Sequence, residues 1–232
     1  MTTNDYSGYF SGGYYLVKRF KRTPDVAPEL PDVLVSLSNC FTDLAPDEWV
    51  LRSWGWELEH IAEDAGVFGI PKDLIVPMLD WCTQEKLNDH PTSFRTADFA
   101  IEFHRRFVRA EDVVALGIGL HRDLVDSFYQ QLDKDPNRGY ALVEQLDRKE
   151  ILSPKGNRLG FEPLGFAGTH FHSWLCHNAP PEVKRTLAIQ TNDHGMISDL
   201  RDATRATEHL VATGAEPAIW EPWLIVQYEM AH

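Results

Sequence analysis

The sequence predicts a single α+β domain spanning residues 1–232, with a mixed or mainly antiparallel sheet flanked by helices. Three observations lead there. The chain is 43% apolar and 25% charged over 232 residues, enough for one substantial core and far from the composition of disorder. Stretches of strand-like alternation are interleaved irregularly with stretches of helical spacing, which argues against a regular βαβ series. No repeat or low-complexity segment is present.

Taken in order, "SGGYYLVKRFKR" runs from two glycines into β-favouring residues and predicts a first strand over Tyr14 to Lys21. After the proline-rich "TPDVAPELPD", the alternation in "VLVSLSNCF" predicts a second strand. Trp54, Leu58 and Ile61 then recur at helical spacing up to Gly66, and Leu74, Ile75, Met78, Leu79 and Cys82 mark the face of a further helix, which Pro77 must begin or kink. "ADFAIEFHRRFV" fits both periods, Phe99, Ile101 and Phe103 as a strand or Phe99, Phe103 and Phe107 as a helix. "VVALGIGL" predicts a strand, and the glycines of "GIGLHRD" a tight turn into the helix of "HRDLVDSFYQQL". "GYALVEQLDRK" repeats the helical pattern, and "RLGFEPLGF" is extended. "PPEVKRTLAI" starts a helix, and "ISDLRDATRATEHLVATG" is the clearest one, capped by Ser198 and ended by Gly214. "WLIVQY" is the last strand.

The net charge of −13 is unevenly spread. Between Asp43 and Asp89 eleven acids face three bases, leaving −8 on an acidic, mostly helical segment of about 43–90 that packs on the rest of the domain. Such a field repels nucleic acid and anionic membranes and attracts basic partners. The same acids also suit an ordinary solvated surface. Cys40, Cys82 and Cys176 lie far apart with no CxxC, which indicates neither a disulfide framework nor a zinc ribbon and fits a reducing compartment. The first residues lack a basic segment followed by an apolar run, and no stretch approaches the ~20 apolar residues of a membrane helix, so a cytoplasmic bacterial protein is expected.

"THFHSWLCH" concentrates His170, His172, Cys176 and His177, all zinc-ligand types, in nine positions. On a strand His170, His172 and Cys176 share a face and His177 points away; on a helix His172 meets Cys176 while His170 and His172 diverge. Neither regular geometry brings all four together. The H-x-H spacing opens a cupin-type metal motif, but the required glutamate is missing until Glu182. Two readings remain: a core segment around Phe171, Trp174, Leu175 and Cys176, or a metal-dependent enzyme binding zinc or iron through His170, His172 and His177, with His194 or a distant carboxylate nearby. Weaker patterns fall away. "GIGLHRD" lacks the third glycine of a dinucleotide fingerprint, no G-x-S-x-G surrounds a serine, and Cys176 beside His177 would face the opposite side of a strand.

Trp49, Trp54, Trp56 and Trp81 lie inside the acidic segment, either as core or as aromatic anchors ringed by carboxylates. The stretches "LGIGLHRDLVDSFY", "NRLGFEPLGFAGTHFHSWLC" and "GAEPAIWEPWLIVQY", with "VLVSLSNCF" before the Trp-containing segment, resemble the immunity proteins of bacterial polymorphic toxin systems. The resemblance covers about half the chain, in patches of packing and turn signatures. It implies a cytoplasmic inhibitor that binds a toxin, and it carries over no catalytic residue. Together with the charge it leads to the expectation of a non-enzymatic acidic binding protein without a cofactor. Its partner would be a basic protein such as a toxin domain, contacted through Trp49, Trp54, Trp56, Glu57, Glu59, Glu63 and Asp64.

Overall fold

The computed structural model describes residues 4–22, 30–51, 55–85, 87, 92–132, 140–167 and 170–230. Its centre is a six-stranded sheet built from β1 (Tyr9–Lys18), β4 (Leu44–Ala45), β5 (Val113–His121), β6 (Asn157–Ala167), β7 (His170–Ser173) and β8 (Ile219–Tyr228), in the order β4-β1-β5-β8-β6-β7. Every neighbouring pair is antiparallel. β2 (Phe20–Lys21) and β3 (Val33–Leu34) form a separate short pair. This is the α+β arrangement expected, with helices on both sides of the sheet.

The strands read as nearly unbroken apolar runs because both faces are covered. Tyr14, Leu16, Ala115, Leu224 and Val226 point into one core layer. It is roofed by α1 (Leu58–Val67), α2 (Ile75–Gln84), α3 (Ala97–Phe107), α6 (Ala179–Leu187) and α7 (Leu200–Ala212). The intervening Tyr15, Val17, Leu116, Trp223 and Ile225 enter a second layer under α4 (Val125–Leu132) and α5 (Tyr140–Asp147).

The ambiguous 97–107 segment is helical. Thr96 accepts a hydrogen bond from the Phe99 N–H at 3.2 Å, and Ala97, Ala100, Phe103 and Phe107 form the buried stripe. Pro77 falls in the first turn of α2, where its missing N–H interrupts no helical bond. Three expectations are corrected. The second strand pairs only over Val33–Leu34, because Ser36 and Ser38 turn their hydroxyls to local backbone and buried side chains instead of continuing a ladder. Gly117 and Gly119 lie inside β5, where an added Cβ would meet Tyr14 and Tyr228 or Leu152 and Tyr9 within about 3 Å, and the turn comes later. The cap of α7 is Asp199, whose carboxylate accepts from Asp202 N–H, rather than Ser198.

Gly165 stands opposite both Trp220 and His172 in adjoining ladders. A Cβ there would lie 2.6 Å from the Trp220 ring. Gly165→Ala is therefore expected to cost about 1–3 kcal/mol through forced repacking, read as a lower urea midpoint with unchanged slope. An unchanged midpoint would show that the Trp220 ring is not held there.

Candidate functional site

Two constellations stand out, one on the acidic helices and one at the β7 edge. α1 buries only Ile61 and Ala65, so most of its surface remains available. Between it and α2 runs an open groove of roughly 740 Å³ whose walls include Leu58, Glu59, Glu63, Lys72, Ile75 and Val76. Leu58 is 53% and Val76 45% exposed, which is unusual for large aliphatic side chains on two neighbouring helices. A second hollow beside it is lined by Trp56, Glu57, His60, Glu63 and Asp64, with Trp56 36% exposed. Partial burial raises the Asp64 carboxyl above its ordinary range, and the like charges of Asp43, Glu63 and Glu48 add to this against His60. The repulsive part of this effect is what a docking cation relieves.

Of the aromatic residues expected here, Trp56 alone is placed at the surface among those described. Trp49 is a correction: it is 5% exposed and packs against Phe68, because the 3-10 turn Glu48–Val50 folds it inward. Trp81 is likewise core, enclosed by Phe94, Phe99, Phe103 and Phe107. Trp54 lies outside the described residues. Glu59, Glu63 and Asp64 lie on α1, and Glu57 immediately precedes it.

At the other end of the sheet, "THFHSWLCH" is neither one strand nor one helix. It is β7 followed by a 3-10 turn over Trp174–His177, capped by Ser173. The turn swings Cys176 back towards His172, and the 36–40 segment brings Cys40 to both. One ligand atom from each of these three residues lies within 4.8 Å of the other two. Cys40 Sγ is 3.6 Å from His172 Nδ1, and Glu216 Oε2 approaches the same nitrogen at 2.7 Å. Glu216 is held by its own carbonyl, which accepts from Trp220 Nε1 at 3.0 Å. His170 is exposed on β7 and His194 sits in the 192–195 turn, both outside this trio. The His177 side chain lies outside what is described.

The 36–40 segment is fastened to β7 by Asn39, whose N–H donates to Phe171 carbonyl at 3.1 Å while its Oδ1 accepts from Phe171 N–H at 3.2 Å. Cys176 Sγ lies 3.1 Å from Ser38 Oγ and accepts from Ser173 N–H at 3.3 Å. Burial nevertheless pushes the Cys176 thiol up to about 12. A nucleophilic cysteine needs the opposite shift, so the pairing does not describe a thiol hydrolase.

Beneath the cluster, Glu162 is fully buried. Its Oε1 accepts from Ser36 and Ser173 hydroxyls, each at 2.6 Å, while Oε2 has no partner among the described residues. Burial pushes its carboxyl up to about 7 against the opposing bonds from Ser173, Ser36 and Leu37 N–H. Glu221 on β8 is also pushed up to about 7 by burial, opposed by Ser127 alone. In the β6–β8 register Glu162 faces Trp223 and Glu221 faces Leu164, so both acids point into the layer under α4 and α5. Neither was singled out in the sequence, although a single acid in an apolar strand, "FEP" and "WEP", was the available signal.

Comparison with protein families, with curated proteins and with solved structures found no match.

Proposed function

We propose that the protein is a non-enzymatic binding protein whose α1–α2 groove receives a basic, amphipathic helix from a protein partner. The observation that carries this reading is the placement of exposed Leu58 and Val76 in one open groove with Glu59 and Glu63, next to a hollow that carries Glu57 and Asp64. A helix laid in such a groove buries its apolar stripe on the two aliphatic residues and sets flanking Lys or Arg against the carboxylates. The sign of the rim disfavours nucleic acid, and no described helix is long and apolar enough to cross a membrane. Inhibition of a basic toxin domain is the form of this function that the sequence resemblance favours.

To test it, the full chain and the variant E57K/E59K/E63K/D64K are immobilised in parallel and exposed to the same bacterial lysate. The basic protein retained by the wild type is purified and titrated against both. At least a 100-fold weaker Kd for the variant, with unchanged circular dichroism, is expected from about 3 kcal/mol of lost and reversed charge pairing. Equal affinities would overturn the reading.

A further inference from the structure

We propose that Cys40, His172 and Cys176, with Glu216 as fourth ligand, form a zinc centre that pins two loops onto the edge strand β7. It is independent of the groove. The donor set is two sulfurs, one imidazole nitrogen and one carboxylate oxygen, the chemistry of a tetrahedral zinc site rather than of magnesium or calcium. The geometry agrees with this choice. Tetrahedral zinc with Zn–S near 2.3 Å and Zn–N near 2.05 Å sets sulfur and nitrogen about 3.6 Å apart. Cys40 Sγ and His172 Nδ1 are 3.6 Å apart already. Cys176 and Glu216 need side-chain adjustment: the trio spreads up to 4.8 Å against about 3.8 Å for ideal ligand sulfurs, and Glu216 Oε2, outside the trio, is 2.7 Å from His172 Nδ1 against about 3.3 Å for two ligands of one zinc.

His172 Nδ1 faces both the Cys40 sulfur and the Glu216 carboxylate, so an ion bound at this nitrogen joins all three once Glu216 turns towards the sulfurs. The surroundings of the cluster fit as well. Ser38 Oγ accepts from Cys40 N–H at 3.2 Å, which leaves its own proton for Cys176 Sγ at 3.1 Å. Ser173 N–H reaches the same sulfur, so two donors converge on one thiolate position. Ser36 and Ser173 are anchored in turn on buried Glu162, and Trp220 fixes the Glu216 backbone. Ligands held by a hydrogen-bonded outer layer of this kind are a property of metal sites. The four ligands come from three segments separated widely in sequence, 36–40, 170–176 and 216, and β7 is the outermost strand that they would tie together.

The test uses untagged full-length protein, prepared under reducing conditions without chelator. Elemental analysis is expected to give one zinc per chain, and replacement by cobalt(II) a thiolate-to-cobalt charge-transfer band with intense tetrahedral visible bands. In chelator competition Cys40→Ser should weaken zinc by more than about 100-fold, and Glu216→Gln by about 10- to 100-fold while keeping the charge-transfer band. His170→Ala should leave the affinity unchanged. Cys40 is exposed, so its serine variant is expected to fold, and zinc should raise the melting temperature of the wild type but not of this variant. Absence of stoichiometric metal, a cobalt spectrum without sulfur charge transfer, or undiminished affinity in Cys40→Ser would each overturn the proposal.

Discussion

Between about pH 5.5 and pH 8.5 the protein is expected to lose about 4 kcal/mol of folding stability, because two buried carboxyls must ionise inside the second core layer. Both Glu162 and Glu221 have folded-state values raised from 4.5 to about 7. For a group raised in this way the folded state holds its proton more tightly than the unfolded chain. Its contribution is therefore complete below the unfolded value and is lost as pH rises through the folded one. At about 1.4 kcal/mol per pH unit between 5.5 and 7, each acid accounts for about 2 kcal/mol. Urea unfolding across this range measures it directly. Glu162→Gln keeps an acceptor for Ser36 and Ser173 but cannot ionise, so it should remove about half of the slope. Glu162→Ala leaves those two buried hydroxyls without their partner and should cost about 2–3 kcal/mol even at the lower pH. A flat stability profile in the wild type would mean that water reaches these carboxyls.

The second large effect concerns the groove. Leu58→Asp and Val76→Asp together should raise the Kd for the basic partner by about 100- to 1,000-fold, almost wholly through faster dissociation. These two side chains supply the desolvated centre of the contact, whereas the carboxylates on the rim act mainly on encounter. The charge variant should therefore slow association and flatten its dependence on salt, whereas the aspartate variant, which adds two carboxylates, should keep association fast and at least as dependent on salt. Because Leu58 and Val76 are exposed, neither change should lower the melting temperature. Stopped-flow kinetics at two ionic strengths separate the two effects. If both variants changed the association rate alone, the apolar pair would lie outside the interface.

How far these features were legible varied with the range of the interactions that make them. α7 could be read because its period reports directly on which face is buried, and β5 because a short unbroken apolar run marks a strand covered on both faces. α3 could not be assigned from "ADFAIEFHRRFV" alone, since two periods matched and the Thr96 cap decided between them. The cap of α7 was missed by one residue because Ser198 and Asp199 are both good caps. At the surface, the α1 acids could be placed, but Trp49 could not be told from an anchor, because its burial depends on a short turn without periodicity. The cluster was half visible: His172 and Cys176 lie together in sequence, while Cys40, 132 residues from His172, joins them through long-range contacts such as the pairing of Asn39 with Phe171. Glu216 was hidden for the same reason.

The central claim, that the α1–α2 groove is the binding surface, is tested most directly by placing a photo-crosslinking amino acid at Leu58 and, separately, at Val211. Both positions are more than half exposed, on α1 and α7 respectively. Irradiation in bacteria is expected to give a covalent adduct with one basic protein from position 58, lost in the E57K/E59K/E63K/D64K background, and none from position 211. The same adduct from position 211, or one from position 58 that survives the charge reversal, would contradict the account.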